Sequence, residues 1–152
     1  MLGLLSFGLF SLDGRKSRLA FWRALLLWAV ALATLQIAAL TLPSLTGVPQ
    51  YGVIAGLAEI PFPALLFSNM VERLHDRGKS GWWTVPFLGV PSVAAGVASW
   101  PVDRATLSVS FVMLVGLVML VGLAFGLWGL VELGLFGGMR GENRYGPDPL
   151  PA

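Results

Sequence analysis

RLHDRGKSGWW, residues Arg73 to Trp83, sets five ionisable side chains between two apolar runs. A helix needs roughly 20 apolar residues to cross the hydrocarbon of a bilayer, and the runs on either side are of about that length. A charged hinge between two such runs is a surface turn of a membrane protein, which makes the fold all-α: a multi-pass transmembrane helical bundle. Composition agrees, with 56% hydrophobic and 12% charged residues against about 25% charged in a soluble domain. The 152 residues read as a single integral membrane domain, and most of them must be spent on spans. The absence of cysteine removes disulfides, thiolate metal ligands and a cysteine nucleophile, and His75 is the single histidine. No metal, haem or other cofactor is therefore expected.

Four spans are read, over residues 19–42, 51–71, 82–100 and 105–136, with a polar tail over 139–152. The first is 24 residues long, with Arg23 and Gln36 its strongly polar members, and Pro43 is expected to stop it. The second holds Glu59, Pro61 and Pro63, which predict a kink near the two prolines. The third is flanked by Trp82 and Trp83 at one end and Trp100 at the other, rings suited to the two interfacial belts together with Trp22 of the first span. Its Pro86, Gly89 and Pro91 make a bent or partly re-entrant path the alternative to a full crossing. The fourth has 32 residues, so it must tilt, break at a glycine or run on along the interface.

Basic residues accumulate on the cytoplasmic flanks of spans. With four crossings, nine of the ten lie on one side (Arg15, Lys16, Arg18, Arg23, Arg73, Arg77, Lys79, Arg140 and Arg144) and only Arg104 on the other. Both termini are thus expected in the cytoplasm. The apolar 1–12 stretch has its basic residues after it instead of before it and does not read as a secretory signal; an interfacial arm is expected.

Three motifs fall on that one predicted face: GRKSRLAFW over Gly14–Trp22, RLHDRGKSGWW over Arg73–Trp83, and GENRYGPDP over Gly141–Pro149. Their order and spacing resemble the bacterial inner-membrane family known as domain of unknown function 805. The resemblance covers nearly the whole chain and implies a multi-helix protein of the bacterial inner membrane with no established activity. One departure is visible: the family often has an acidic residue where this chain has Ala20, so a carboxylate cap or charge partner is missing there.

Taken as helix, residues 69–77 place Glu72 with Asp76 and Arg73 with Arg77 at i,i+4, with His75 between the two stripes. Gly78 then stands at the C-cap and Ser80 at the N-cap of the next element. One reading makes the cluster a membrane anchor, with its cations at lipid phosphates and Trp82 and Trp83 among headgroups. The other has Asp76 accept hydrogen bonds from Arg15 or Arg18 and from Arg144, building a polar plug for a partner or an anionic ligand. Asn143, Arg144, Tyr145 and Asp148 of the turn-rich tail are expected to fold back onto this face. Gly78-Lys79-Ser80 resembles the end of a P-loop, but position 73 is Arg where a glycine is needed, and Glu72-x-x-His75 lacks the second half of a di-iron site.

An ionisable group costs at least ~2.5 kcal/mol at the bilayer centre unless it is paired or wetted. Arg23 and Glu132 are expected at similar depth, either paired or with Arg23 reaching to the surface. Glu59 is expected level with Gln36, either titrating within the membrane or facing water at the far interface. Gly122 and Gly126, with Gly116 and Gly129 nearby, and Gly52 with Gly56, predict close helix packing, by default within one chain. No nucleophile-base pair stands out, and adjacency puts His75 and Asp76 about 100° apart on a helix. The functional expectation is a non-enzymatic membrane interaction or envelope protein whose polar cytoplasmic face docks a partner, such as an unidentified membrane protein, or senses the membrane. The alternative is a small homo-oligomeric transporter or channel using Glu59. The bilayer is the expected surrounding, and no nucleic acid partner is expected.

Overall fold

A computed structural model describes residues 12–48, 50–101 and 108–150. These are helical throughout apart from turns and one isolated antiparallel bridge between Asn143 and Gly146. The expected N-terminal arm, apart from Leu12, and Arg104 lie outside the described residues.

Helix α1, Arg18–Thr46, starts where the Ser17 hydroxyl accepts the Ala20 N–H at 3.3 Å. It does not stop at Pro43 as expected but runs one turn further, to Gly47 at φ +70°. Pro43 forfeits only one bond, that to the Ala39 carbonyl, and Gly52 of the next helix packs beside that carbonyl and the proline ring. The hydroxyls of Thr34, Thr41 and Thr46 donate to the carbonyl one turn back, which satisfies them without water.

Helix α2, Gln50–Ala58, and helix α3, Pro61–Asp76, form one interrupted rod. The predicted kink is there, two residues before the expected prolines, at Glu59–Ile60. Pro61 and Pro63 have no N–H for the carbonyls of Leu57 and Glu59, and these accept instead from Ile60 and Phe62 at 3.3 and 3.0 Å. Helix α3 ends in a Schellman motif: Gly78 at φ +70° donates to the His75 carbonyl and Lys79 to the Leu74 carbonyl, both at 2.9 Å. The expected glycine cap is thereby met.

The third segment is helical but not one α-helix. Ser80 caps a 3₁₀ turn over Gly81–Trp83, a π-helical stretch follows over Val85–Gly89, and α4 covers Val90–Ala98. Prolines 86 and 91 remove the donors an α-helix would need there, which accounts for the change of pitch. Helix α5, Val109–Leu130, is capped by Ser108 and continues as a π-helical turn, Val131–Leu135. Among the described residues three helices are long and apolar enough to cross a membrane: Arg18–Thr46, Gln50–Asp76 and Val109–Leu135. The third segment is not among them.

The glycines of α5 set its packing on the third segment. A side chain on Gly122 would meet the Ala94 Cβ at 2.5 Å, one on Gly126 the Pro91 ring at 3.6 Å, and one on Gly129 the Phe87 ring at 3.0 Å. The two elements therefore run antiparallel in close contact within a single chain, as the glycine spacing predicted. The apolar faces of α1 and α5 remain mostly uncovered, and the small apolar core of Phe21, Met70, Leu74, Phe87 and Leu133 lies at the end of the molecule that carries the three motifs.

Candidate functional site: a knot of arginines and carbonyls

Every residue from Ser68 to Asp76 is buried, and the largest fully buried side chain of the described chain is Arg73. A guanidinium out of water survives only if its donors are matched. Arg73 donates to the carbonyls of Leu133 at 2.8 Å, Phe136, and Lys16 at 3.4 Å, and to the Asp76 carboxylate. Asp76 also takes two bonds from Arg15, from Nε at 3.2 Å and Nη2 at 3.1 Å. Arg15 spends its remaining donors on the carbonyls of Met139, Gly141 and Gly146. One carboxylate thus holds two buried guanidiniums, one from each of the first two motifs, and the Met139 N–H returns to the Asp76 carbonyl at 2.8 Å.

The last carbonyls of a helix have no partner within it. Here five in a row are closed by side chains from elsewhere. Leu133 and Phe136 accept from Arg73, Gly134 from the Trp22 indole at 3.0 Å, Leu135 from Arg18 at 3.0 Å, and Gly137 from Arg77 at 3.1 Å. Cations at a helix C-terminus also meet the negative end of its dipole. The arginines of the first two motifs therefore form the C-cap of the last apolar helix.

The partners of Asp76 are corrected in part. Arg15 reaches it as expected. Arg18 goes to Leu135, and Arg144 to the Gly78 carbonyl at 3.4 Å and the Tyr145 ring at 4.6 Å. Arg73, three residues before Asp76 on the same helix, takes the remaining oxygen. The expected pairing of Arg23 with Glu132 is also overturned. Glu132 is buried between Arg77 and Lys79, each 2.8 Å away, while Arg23 is exposed. Phe21 and Trp22 face the end of α5, and a residue next in sequence lies about 100° round the helix from Trp22.

The tail folds back as expected. Tyr145 stacks on His75 with centroids 3.8 Å apart and planes 5° from parallel, and Asn143 donates to the His75 carbonyl at 3.0 Å. Asp148 accepts the backbone N–H groups of Leu150 and Gly141 at 3.0 and 2.8 Å, and these hold its carboxyl below the ordinary carboxylate range. His75 and Asp76 engage different groups: the His75 ring lies 3.3 Å from the Gly14 carbonyl, while Asp76 is held by the two arginines. Ser80 acts as a cap, and Arg77 covers the Phe136 ring at 4.7 Å. Of the interfacial aromatics, Trp82 and Trp100 are exposed, Trp83 meets Trp128 edge-on, and Trp22 serves the knot.

Sequence reasoning missed several members. Lys16 pairs with Glu72 at 2.5 Å and Lys79 with Glu132, and Asn69 donates to the Phe21 carbonyl. A Cβ on Gly138 would strike the Asp76 carboxylate and one on Gly134 the Trp22 ring. An asparagine inside an apolar run and a Gly137-Gly138 pair just past a span were the available signals.

Farther along α1 from the knot, beside the break between α2 and α3, the Gln36 amide donates to the Glu59 carboxylate at 2.9 Å, so the two are level as expected. They border a cleft of about 660 Å³ between α1, the α2–α3 rod and the third segment, lined along its length by Leu25, Trp28, Leu32, Leu66 and Leu88.

The chain matches the family model described as Protein of unknown function (DUF805) over residues 9–147. It is 33% identical over 150 residues to "Uncharacterized protein YiiR" of Escherichia coli strain K12, covering 92% of this chain and 86% of that protein, and equally to its counterpart in Escherichia coli O157:H7. No solved structure matches. With the matched region taking in the first two motifs and most of the third, the chain belongs to the DUF805 family.

Proposed function

We propose that this is a bacterial inner-membrane protein of four crossings, with both termini cytoplasmic, that works without catalysis of its own by presenting a rigid polar face to a membrane-associated partner. The observation that carries this reading is the ordered tail. Fixing each backbone residue costs roughly 1–2 kcal/mol of conformational entropy, yet residues 139–150 are tied down by the Tyr145 stack, Asn143, Asp148 and Arg15. That leaves Arg140, Glu142 and Arg144 exposed on a held loop, while the inner arginines are spent on helix ends. A loop ordered in advance loses less on binding. Four crossings are supported by the antiparallel register of Phe87, Pro91 and Ala94 on Gly129, Gly126 and Gly122, which carries the third segment alongside α5.

A photo-crosslinking probe at Glu142 in intact cells tests it. A discrete heterologous adduct that disappears when Tyr145→Ala releases the tail is the expected result. An adduct pattern indifferent to Tyr145→Ala sinks the reading.

The cleft at Glu59 favours a second reading, the transporter. Its support is a carboxylate on a cavity between apolar helices; a proteoliposome flux lost in Glu59→Gln is the expected result, and no flux from the parent protein would remove the reading.

A further inference from the structure

We infer that the cleft beside Glu59 is a binding site for one membrane phospholipid with a primary ammonium headgroup, of the phosphatidylethanolamine type. The inference requires only that the chain crosses a bilayer; it does not require transport or a protein partner.

Glu59 is the one charged residue among those lining the cleft, with Gln36 beside it, and most of the remaining lining is apolar. From Leu25 to Gln36 along α1 is eleven residues, or roughly 16 Å of helix, close to the ~15 Å of one leaflet of a ~30 Å hydrocarbon layer. Arg18, whose guanidinium joins the knot, lies eighteen residues before Gln36, or roughly 27 Å away along the axis. Gln36 and Glu59 thus stand near the boundary of the leaflet remote from the knot, and the apolar lining descends one leaflet from them. That is the shape of an acyl chain with its headgroup.

Charge decides which headgroup. No cationic side chain among the described residues lines the cleft. Among the described residues, the Glu59 carboxylate takes one side-chain hydrogen bond, from Gln36, and no ion pair. The Ser92 hydroxyl, also on the lining, is spent on the Leu88 carbonyl at 2.7 Å. The Lys16 ammonium lies over the Trp28 ring, but it is paired with Glu72 on the knot side of the molecule. The half-buried Glu59 carboxylate beside this apolar lining thus keeps acceptor sites that no side chain among the described residues fills other than Gln36. A lipid ammonium brings three N–H donors and the opposite charge, whereas a headgroup of net negative charge meets repulsion and no cation.

The full-length protein in mild detergent, titrated with phosphatidylethanolamine and phosphatidylglycerol of identical chains and read by native mass spectrometry, tests the site. The expected preference for the ethanolamine lipid is about tenfold, as one charge-assisted hydrogen bond provides. Glu59→Gln should abolish the preference, and Leu32→Trp, which fills the cleft, should weaken both lipids; unchanged melting temperatures establish that the variants are folded. Equal retention of both lipids by the parent protein overturns the proposal, as does a preference that survives Glu59→Gln in folded protein. Tighter binding of a neutral isoprenoid alcohol than of phosphatidylethanolamine also overturns it. Resistance of the protein to alkaline carbonate extraction from membranes reads the crossing separately, so a failure there is told apart from a failure of the site.

Discussion

Asp76 carries more of the structure than any other side chain of the knot, because it is the counter-charge for two buried guanidiniums. Removing one partner of a buried pair leaves the other uncompensated, at a cost of roughly 3–5 kcal/mol. Asp76→Asn is therefore expected to lower the melting temperature in detergent sharply; an unchanged value would show that Arg15 and Arg73 are held by carbonyls alone. Gly138→Ala should act on the same bond from the other side, since its methyl collides with the Asp76 carboxylate, with a loss of about 1–3 kcal/mol as for other overpacked sites. The pairing of Glu132 is checked by double-mutant cycles: with Arg77 the coupling should be measurable, and with the exposed Arg23 it should vanish. That Asp76 belongs to a network with Arg15 was legible from charge spacing. That Arg18 and Arg144 do not reach it was not, because several cations share the same face of the sequence and only the path of the backbone selects which carbonyl or carboxylate each meets.

Most helix ends in this chain are capped locally, but the last apolar helix is terminated by side chains from other helices. The five carbonyls from Leu133 to Gly137 illustrate it, since α5 unwinds through a π-helical turn into donors from α1 and α3. Trp22→Phe keeps the ring against Gly134 and deletes one donor; the expected loss is about 1 kcal/mol, readable as a shift in melting temperature. The tail shows a pH effect of known sign. Asp148 has its carboxyl held below the ordinary range by two backbone N–H groups, so its contribution to tail order is present at neutral pH and is lost as pH falls through that lowered value. A spin label at position 142 should remain immobile near neutrality and become mobile in acid, with no such acid step in Asp148→Asn. Proline positions announced the break between α2 and α3 and the mixed helical path of residues 81–98. Their consequences at Pro43 differed, because Gly52 of the neighbouring helix covers the place where a bond is missing.

At the scale of the molecule, two layers of chemistry are separated along the helix axes. One end is a knot in which charged groups are buried and apolar helix faces begin; the rest exposes leucine, valine and isoleucine along α1 and α5. Such faces are stable in lipid, where no water competes for backbone groups and no apolar core is needed. Because the chain has no cysteine, single introduced cysteines report its orientation cleanly. In intact cells a cysteine at Thr46 is expected to react with a membrane-impermeant maleimide and one at Ser80 to be protected. The reverse pattern would invert the proposed orientation, and equal labelling would remove the crossing between them.

Composition and hydropathy alone determined that the described residues are built on helices, three of them long and apolar enough for a bilayer, because the transfer of long apolar runs depends on their length and not on what they touch. Local pattern alone also placed the Gly78 and Ser80 caps, since caps are made within a few residues. Which buried charge meets which partner was decided only by the tertiary structure. Arg73, Trp22 and Arg15 donate to carbonyls more than a hundred residues away or on another helix, Asp76 accepts from Arg15 of the first motif, and a hydrogen bond's reach of about 3 Å is fixed by packing in three dimensions, to which sequence spacing is blind.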